Sequence, residues 1–117
     1  MALVACTGKS SEVGRFKSPD GVVEAVIVER ASDATVATPI EVYLVPIGTP
    51  VSGEPLLTGD RFENLFLTWR EPRLLELRYT KGRVYKFTNF WQSADVDQFR
   101  YVVELRLKPS SDSFALP

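Results

Sequence analysis

Histidine is absent from this 117-residue chain, and cysteine occurs once, at Cys6. A general base here must be a carboxylate, a lysine, a tyrosine or that single thiol. The chain has no Ser-His-Asp or Cys-His nucleophile and no His-ligated zinc site. One cysteine also forbids an intrachain disulfide and any CxxC motif. Asp95-Val96-Asp97 places two carboxylates two residues apart. It lacks the glycine and distal glutamate of a calcium loop, and no other acids pair as a glycosidase dyad. These acids read as solvated loop charge. Ser10-Ser11 and Ser110-Ser111-Asp112-Ser113 read as tether and tail rather than nucleophiles.

Charge and aromatic residues are more informative. Net charge is only -1, which speaks against bulk attraction to nucleic acid. That value averages two unlike regions. Asp20 to Glu63 holds eight acids and two bases, whereas Arg70 to Lys86 holds two acids and six bases: Arg70, Arg73, Arg78, Lys81, Arg83 and Lys86. With Tyr79, Tyr85 and Phe87 interleaved, the basic stretch has the composition of a contact surface for an acidic protein or anionic headgroups. An ordinary solvated sheet face is the competing reading. Phe90-Trp91 ends a strand, and alternation lets only one of the two rings enter the core. The other is an anchor for an interface if it stays exposed.

The elements that carry these residues are strands. Apolar residues make up 44% and charged residues 25%, an ordinary globular balance, and no apolar run of about 18 residues is present. No repeat appears. Ser18-Pro19-Asp20-Gly21 is a tight turn between strands at Arg15 to Lys17 and Val22 to Glu29. Further strands are expected at Ile40 to Pro46, Arg61 to Trp69, Leu74 to Thr80, Val84 to Phe90 and Phe99 to Lys108. Thr80-Lys81-Gly82-Arg83 reads as a hairpin turn with Gly82 at positive φ. Ser93 to Gln98 reads as one helical turn. In the last strand Phe99, Tyr101, Val103, Leu105 and Leu107 face inward, and Arg100, Glu104, Arg106 and Lys108 face out. The expectation is an all-β domain, a single antiparallel β-sandwich of about seven strands, with a small barrel as the alternative. Residues 13–108 form that domain, 1–12 an N-terminal segment and tether, and 109–117 a loose tail. The core needs no cofactor at this size.

Leu3-Val4-Ala5-Cys6 resembles the lipobox of bacterial lipoproteins. That resemblance implies a lipid on Cys6, a polar tether over Thr7 to Glu12, and a place on the periplasmic side of the outer membrane. Only five residues precede Cys6, fewer than a signal peptide requires. The alternative is a short strand with Cys6 buried, in a cytoplasmic β domain. Gly8-Lys9-Ser10 lacks the upstream glycine of a phosphate-binding loop, since Leu3 stands there.

Ser18-Pro19-Asp20-Gly21, followed by Val42-Tyr43-Leu44-Val45-Pro46-Ile47-Gly48, also resembles a blade of TolB-type β-propellers. A propeller needs at least four blades of about 40 residues, so the whole propeller is excluded. The same order of elements is similar to small bacterial lipoproteins that open on such a hairpin. Together these readings point to a non-enzymatic envelope module binding a protein or envelope component. An inhibitor or immunity protein is one subclass. Its expected contact residues are the six bases of Arg70 to Lys86 with Phe90 and Trp91.

Overall fold

The computed structural model describes residues 10–30 and 38–109. Cys6 and its lipobox-like surroundings, most of the polar loop expected at Arg30 to Pro39, and residues 110–117 lie outside the described residues. Two sheets make up the domain. The first holds β1 (Ser10–Lys17), β2 (Val23–Arg30), β3 (Ile40–Pro46), β4 (Leu57–Glu63) and β7 (Lys81–Phe87) in the order β1-β2-β3-β4-β7. The second holds β5 (Phe66–Glu71), β6 (Leu74–Tyr79), β8 (Phe90–Trp91) and β9 (Val103–Pro109) in the order β5-β6-β9-β8. Their inner faces share one core, with Val23, Ala25, Val42 and Leu57 from the first sheet against Leu75, Leu77, Val103 and Leu105 from the second. The fold is all-β and open, a two-sheet sandwich and not a closed barrel.

Among the described residues nine strands stand where seven were expected, because two long readings are each broken. Arg61 to Trp69 is not one strand. The backbone turns over at Asn64, which takes φ 59°, a conformation that asparagine tolerates better than most residues. That break carries the chain from the first sheet to the second. Val84 to Phe90 likewise divides into β7 and β8. Strand β1 begins at Ser10, inside the stretch read as tether, and β9 runs to Pro109, the first residue of the expected tail.

The hairpin expected at Thr80 to Arg83 does not form. Strands β6 and β7 belong to different sheets, so Thr80 is a crossover. Gly82 lies inside β7 and is not among the positive-φ glycines. It is small because Phe62 packs onto it: a Cβ there would collide with the Phe62 ring, and one at Gly59 would collide with the Arg83 carbonyl oxygen. Phe62 uses that space to meet Tyr79 edge-to-face at 5.3 Å, which ties the sheets at this end.

Pairing is antiparallel except between β6 and β9, which run parallel. The last strand is also shorter than expected. Positive φ at Asp97, Gln98 and Phe99 turns the chain, and Phe99 is 53% exposed rather than inward. Tyr101, Val103 and Leu105 are buried as their alternation requires. At the Ser18 to Gly21 turn, Gly21 takes φ 71° and donates its N–H to the Ser18 carbonyl at 2.9 Å.

Candidate functional site

Because β6 and β7 part company, the six bases of Arg70 to Lys86 do not make one surface. Arg83 and Lys86 stand on the outer face of the first sheet. There Arg83 donates two hydrogen bonds of 2.8 Å to the Asp60 carboxylate, and the Tyr85 hydroxyl donates a third. These contacts, led by that from Arg83, pull the Asp60 carboxyl down to about 2. Arg83 also lies 5.6 Å above the Tyr85 ring. Lys86 approaches Glu54 at 3.8 Å, and Lys81 opens β7 opposite Glu63. Strict alternation along β7 would put Tyr85 and Phe87 on one face. An irregular register around Tyr85 separates them, leaving Tyr85 exposed and Phe87 against the core.

Arg70 and Arg78 occupy the outer face of the second sheet, and Arg73 sits in the β5–β6 turn, 4.9 Å above the Tyr101 ring. Register defines that outer face as a grid. One end row is Phe66, Arg78 and Lys108. The middle row is Thr68, Glu76 and Arg106. The other end row runs from Glu71 through Leu74 and Glu104 to Phe90. Glu76 sits in the middle at 5% exposure, accepting from Arg78 Nη1 at 2.8 Å with Arg70 Nη1 at 3.8 Å. Arg106 Nε donates to Glu104 at 2.9 Å. All three carboxylates lie in the middle and far rows. The Phe66 row contains none.

Phe66 and Phe90 stand at diagonal corners of this grid, 49% and 50% exposed. Trp91 turns inward against the core, so the alternation expected for the pair is seen. Behind Phe90 a cleft of about 330 Å³ separates Gly53 to Leu56 from Thr88 to Ser93, with Leu44, Pro46 and Trp91 in its wall. The start of the loop that leads to this wall is held by Glu24, which accepts from Arg15 Nη1 at 2.9 Å and from the Gly48 N–H at 3.0 Å. Arg15 Nη1 also donates to the Thr49 carbonyl at 2.9 Å. The Gly48 hydrogen bond and Arg15 together hold the Glu24 carboxyl below its ordinary range, against the opposing effect of burial.

Asp95 borders the cleft, whereas Asp97 pairs loosely with Arg100 at 3.8 Å. Among the described residues, no three cysteine, aspartate or glutamate side chains gather in one place. Phe66, Arg106 and Lys108 were not expected in the contact set. The polar parity of β9 marks the last two, but reading Arg61 to Trp69 as one strand hid which face Phe66 takes. Comparison of the chain with protein-family models, curated proteins and solved structures finds no match.

Proposed function

We propose that this chain is a non-enzymatic binding module whose contact surface is the outer face of the second sheet. The observation that carries this reading is the grid itself: two half-exposed phenylalanines at opposite corners, with Arg70, Arg78, Arg106 and Lys108 between them. Exposed aromatics and arginines are the residue types that anchor interfaces, and fixed strands hold them without a large ordering cost on binding. The partner is a protein or envelope component with a complementary acidic surface. Cys6, set in its lipobox-like sequence, is the proposed point of attachment to the membrane, on the periplasmic side of the outer membrane.

Site-specific photo-crosslinking tests the surface. A photoreactive residue at Phe66 or Phe90 is expected to capture one and the same partner. The same group at Val13, equally exposed on β1, is expected to capture nothing in common with them. Identical products from all three positions would discard the surface. The tether is tested by metabolic lipid labelling, which is expected to be lost in Cys6→Ser. An unlabelled wild-type chain in the cytoplasm would instead leave the intracellular β domain as the reading.

A further inference from the structure

The carboxylate-free row of the grid ends in a notch of about 410 Å³, lined by Asn64, Phe66, Arg78, Tyr79, Thr80, Lys108 and Pro109. Two of the three described crossings between the sheets, β4 to β5 and β6 to β7, meet there. The Thr80 N–H donates to the Glu63 carbonyl at 2.9 Å, and Asn64 Nδ2 donates to Thr80 Oγ1 at 3.1 Å. These bonds fix the notch's wall. Arg78 and Lys108 are register partners on neighbouring strands, so two cations face outward side by side. Like charges so placed repel and cost stability unless something neutralises them. Arg78 spends one of its five N–H donors on Glu76, which also serves Arg70. Lys108 has no carboxylate within ion-pair distance among the described residues. Asn64 keeps a second amide N–H, and the half-exposed Phe66 ring borders the cations.

We propose that this notch binds a phosphate group carried on an apolar or aromatic body, with the phosphate on Arg78 and Lys108 and the body against Phe66. Three kinds of donor on one side suit the three oxygens of a phosphate monoester better than the two of a carboxylate. The proposal deepens the reading of the sheet face as a contact surface and rests on it. A soluble phosphate ester and a lipid headgroup share this chemistry.

The test uses the isotope-labelled full chain and amide chemical shifts. Phenyl phosphate is expected to shift Asn64, Phe66, Thr80 and Lys108 together, and phenol to shift none of them. The double variant Arg78→Gln/Lys108→Gln is expected to bind phenyl phosphate about tenfold or more weakly, because each lost contact involves a charged group. Both side chains are exposed or half-exposed, and wild-type amide shifts away from the notch report an intact fold. Vesicles of phosphatidylglycerol in phosphatidylcholine form the second arm. If they bind while phosphatidylcholine alone does not, the phosphate belongs to a lipid; if only phenyl phosphate binds, it is soluble. Absence of shifts, or equal affinity in the double variant, overturns the notch. Benzoate binding as tightly as phenyl phosphate also overturns it and assigns the cations to an acidic peptide. Crosslinking at Phe90 that persists when phenyl phosphate fails removes the notch alone, and leaves the wider contact surface standing.

Discussion

The Tyr101 hydroxyl donates to Asp20 Oδ2 at 2.6 Å across a separation of 81 residues. Asp20 belongs to the β1–β2 turn and Tyr101 to the approach to β9, so this one hydrogen bond fastens the two sheets at the end opposite Phe62 and Tyr79. The Pro72 carbonyl lies 3.3 Å from the same hydroxyl, and Arg73 covers the ring. Asp20 is also held by Ser18 Oγ at 2.6 Å. The turn that looked generic as a sequence is a fixed anchor for the last strand.

Replacing Tyr101 by Phe is expected to cost about 0.5–1.5 kcal/mol in chemical denaturation, since the exposed Asp20 carboxylate loses a donor but can turn to water. Burial, followed by the Asp20 carboxylate, pushes the Tyr101 phenol up to about 12. The group is thus protonated more tightly in the folded chain. Its contribution is complete below the ordinary phenol range and is lost as pH rises through about 12. Wild-type stability should therefore fall more steeply than that of Tyr101→Phe in strong alkali. Parallel alkaline limbs would show that the hydrogen bond contributes nothing.

Asp60 governs the acid side. With its carboxyl lowered from 3.8 to about 2, its stabilising contribution is present above the ordinary carboxylate range and is lost as pH falls toward 2. Melting temperatures followed through that window should drop less for Asp60→Asn than for the wild type. The variant starts lower at neutral pH because Arg83 and Tyr85 then lack their acceptor.

Gly59 and Gly82 both make room for Phe62, but against different obstacles. The nearest obstacle to Gly82→Ala is the Phe62 ring, and the change should destabilise by about 1–3 kcal/mol. Adding Phe62→Leu should recover part of that loss. Gly59→Ala meets the Arg83 carbonyl as well, so the same second change should not rescue it. Thermal melts of the four variants decide the matter; equal rescue at both positions would contradict the packing described.

Charge reversal separates the two outer faces. Arg78→Glu should abolish partner capture at Phe66 and Phe90, because it places an acid in the row that has none. Lys86→Glu, on the other sheet, should leave capture unchanged within a factor of about two. A pull-down quantified against the wild type reads both, and a loss caused by Lys86→Glu would return the contact surface to the first sheet.

How far the chain could be read in advance depended on which rule each residue obeyed. Strand β3 was legible to the residue, because Ile40 to Pro46 is a short, largely apolar run bounded by a polar loop and Gly48, although Val42 to Val45 prove buried on both faces. Inward Val103 and Leu105 were legible from the alternation of the last strand. Alternation is a local rule, however, and it is silent about which sheet a strand joins. Gly82 looked like turn chemistry, since a ring packing from Phe62, 20 positions earlier, leaves no local trace. Asn64, a residue tolerant of positive φ set between Glu63 and Leu65, carried the signal of the β4 to β5 crossover. Misplacing those two residues joined Arg70 to Lys86 into one basic surface, when the fold divides it.

The parallel register of β6 and β9 bears on how the chain acquires its structure in time. Strand β9 is the last of the nine described strands, yet it lies between β6 and β8 in the interior of its sheet. Before it arrives, β5 and β6 are a lone hairpin with Leu75 and Leu77 uncovered on the side where Val103 and Leu105 will lie. Isolated hairpins are marginal in water, and pairings distant in sequence form slowly. The second sheet therefore cannot be completed without Val103 to Pro109, the segment that joins the β5–β6 hairpin to β8.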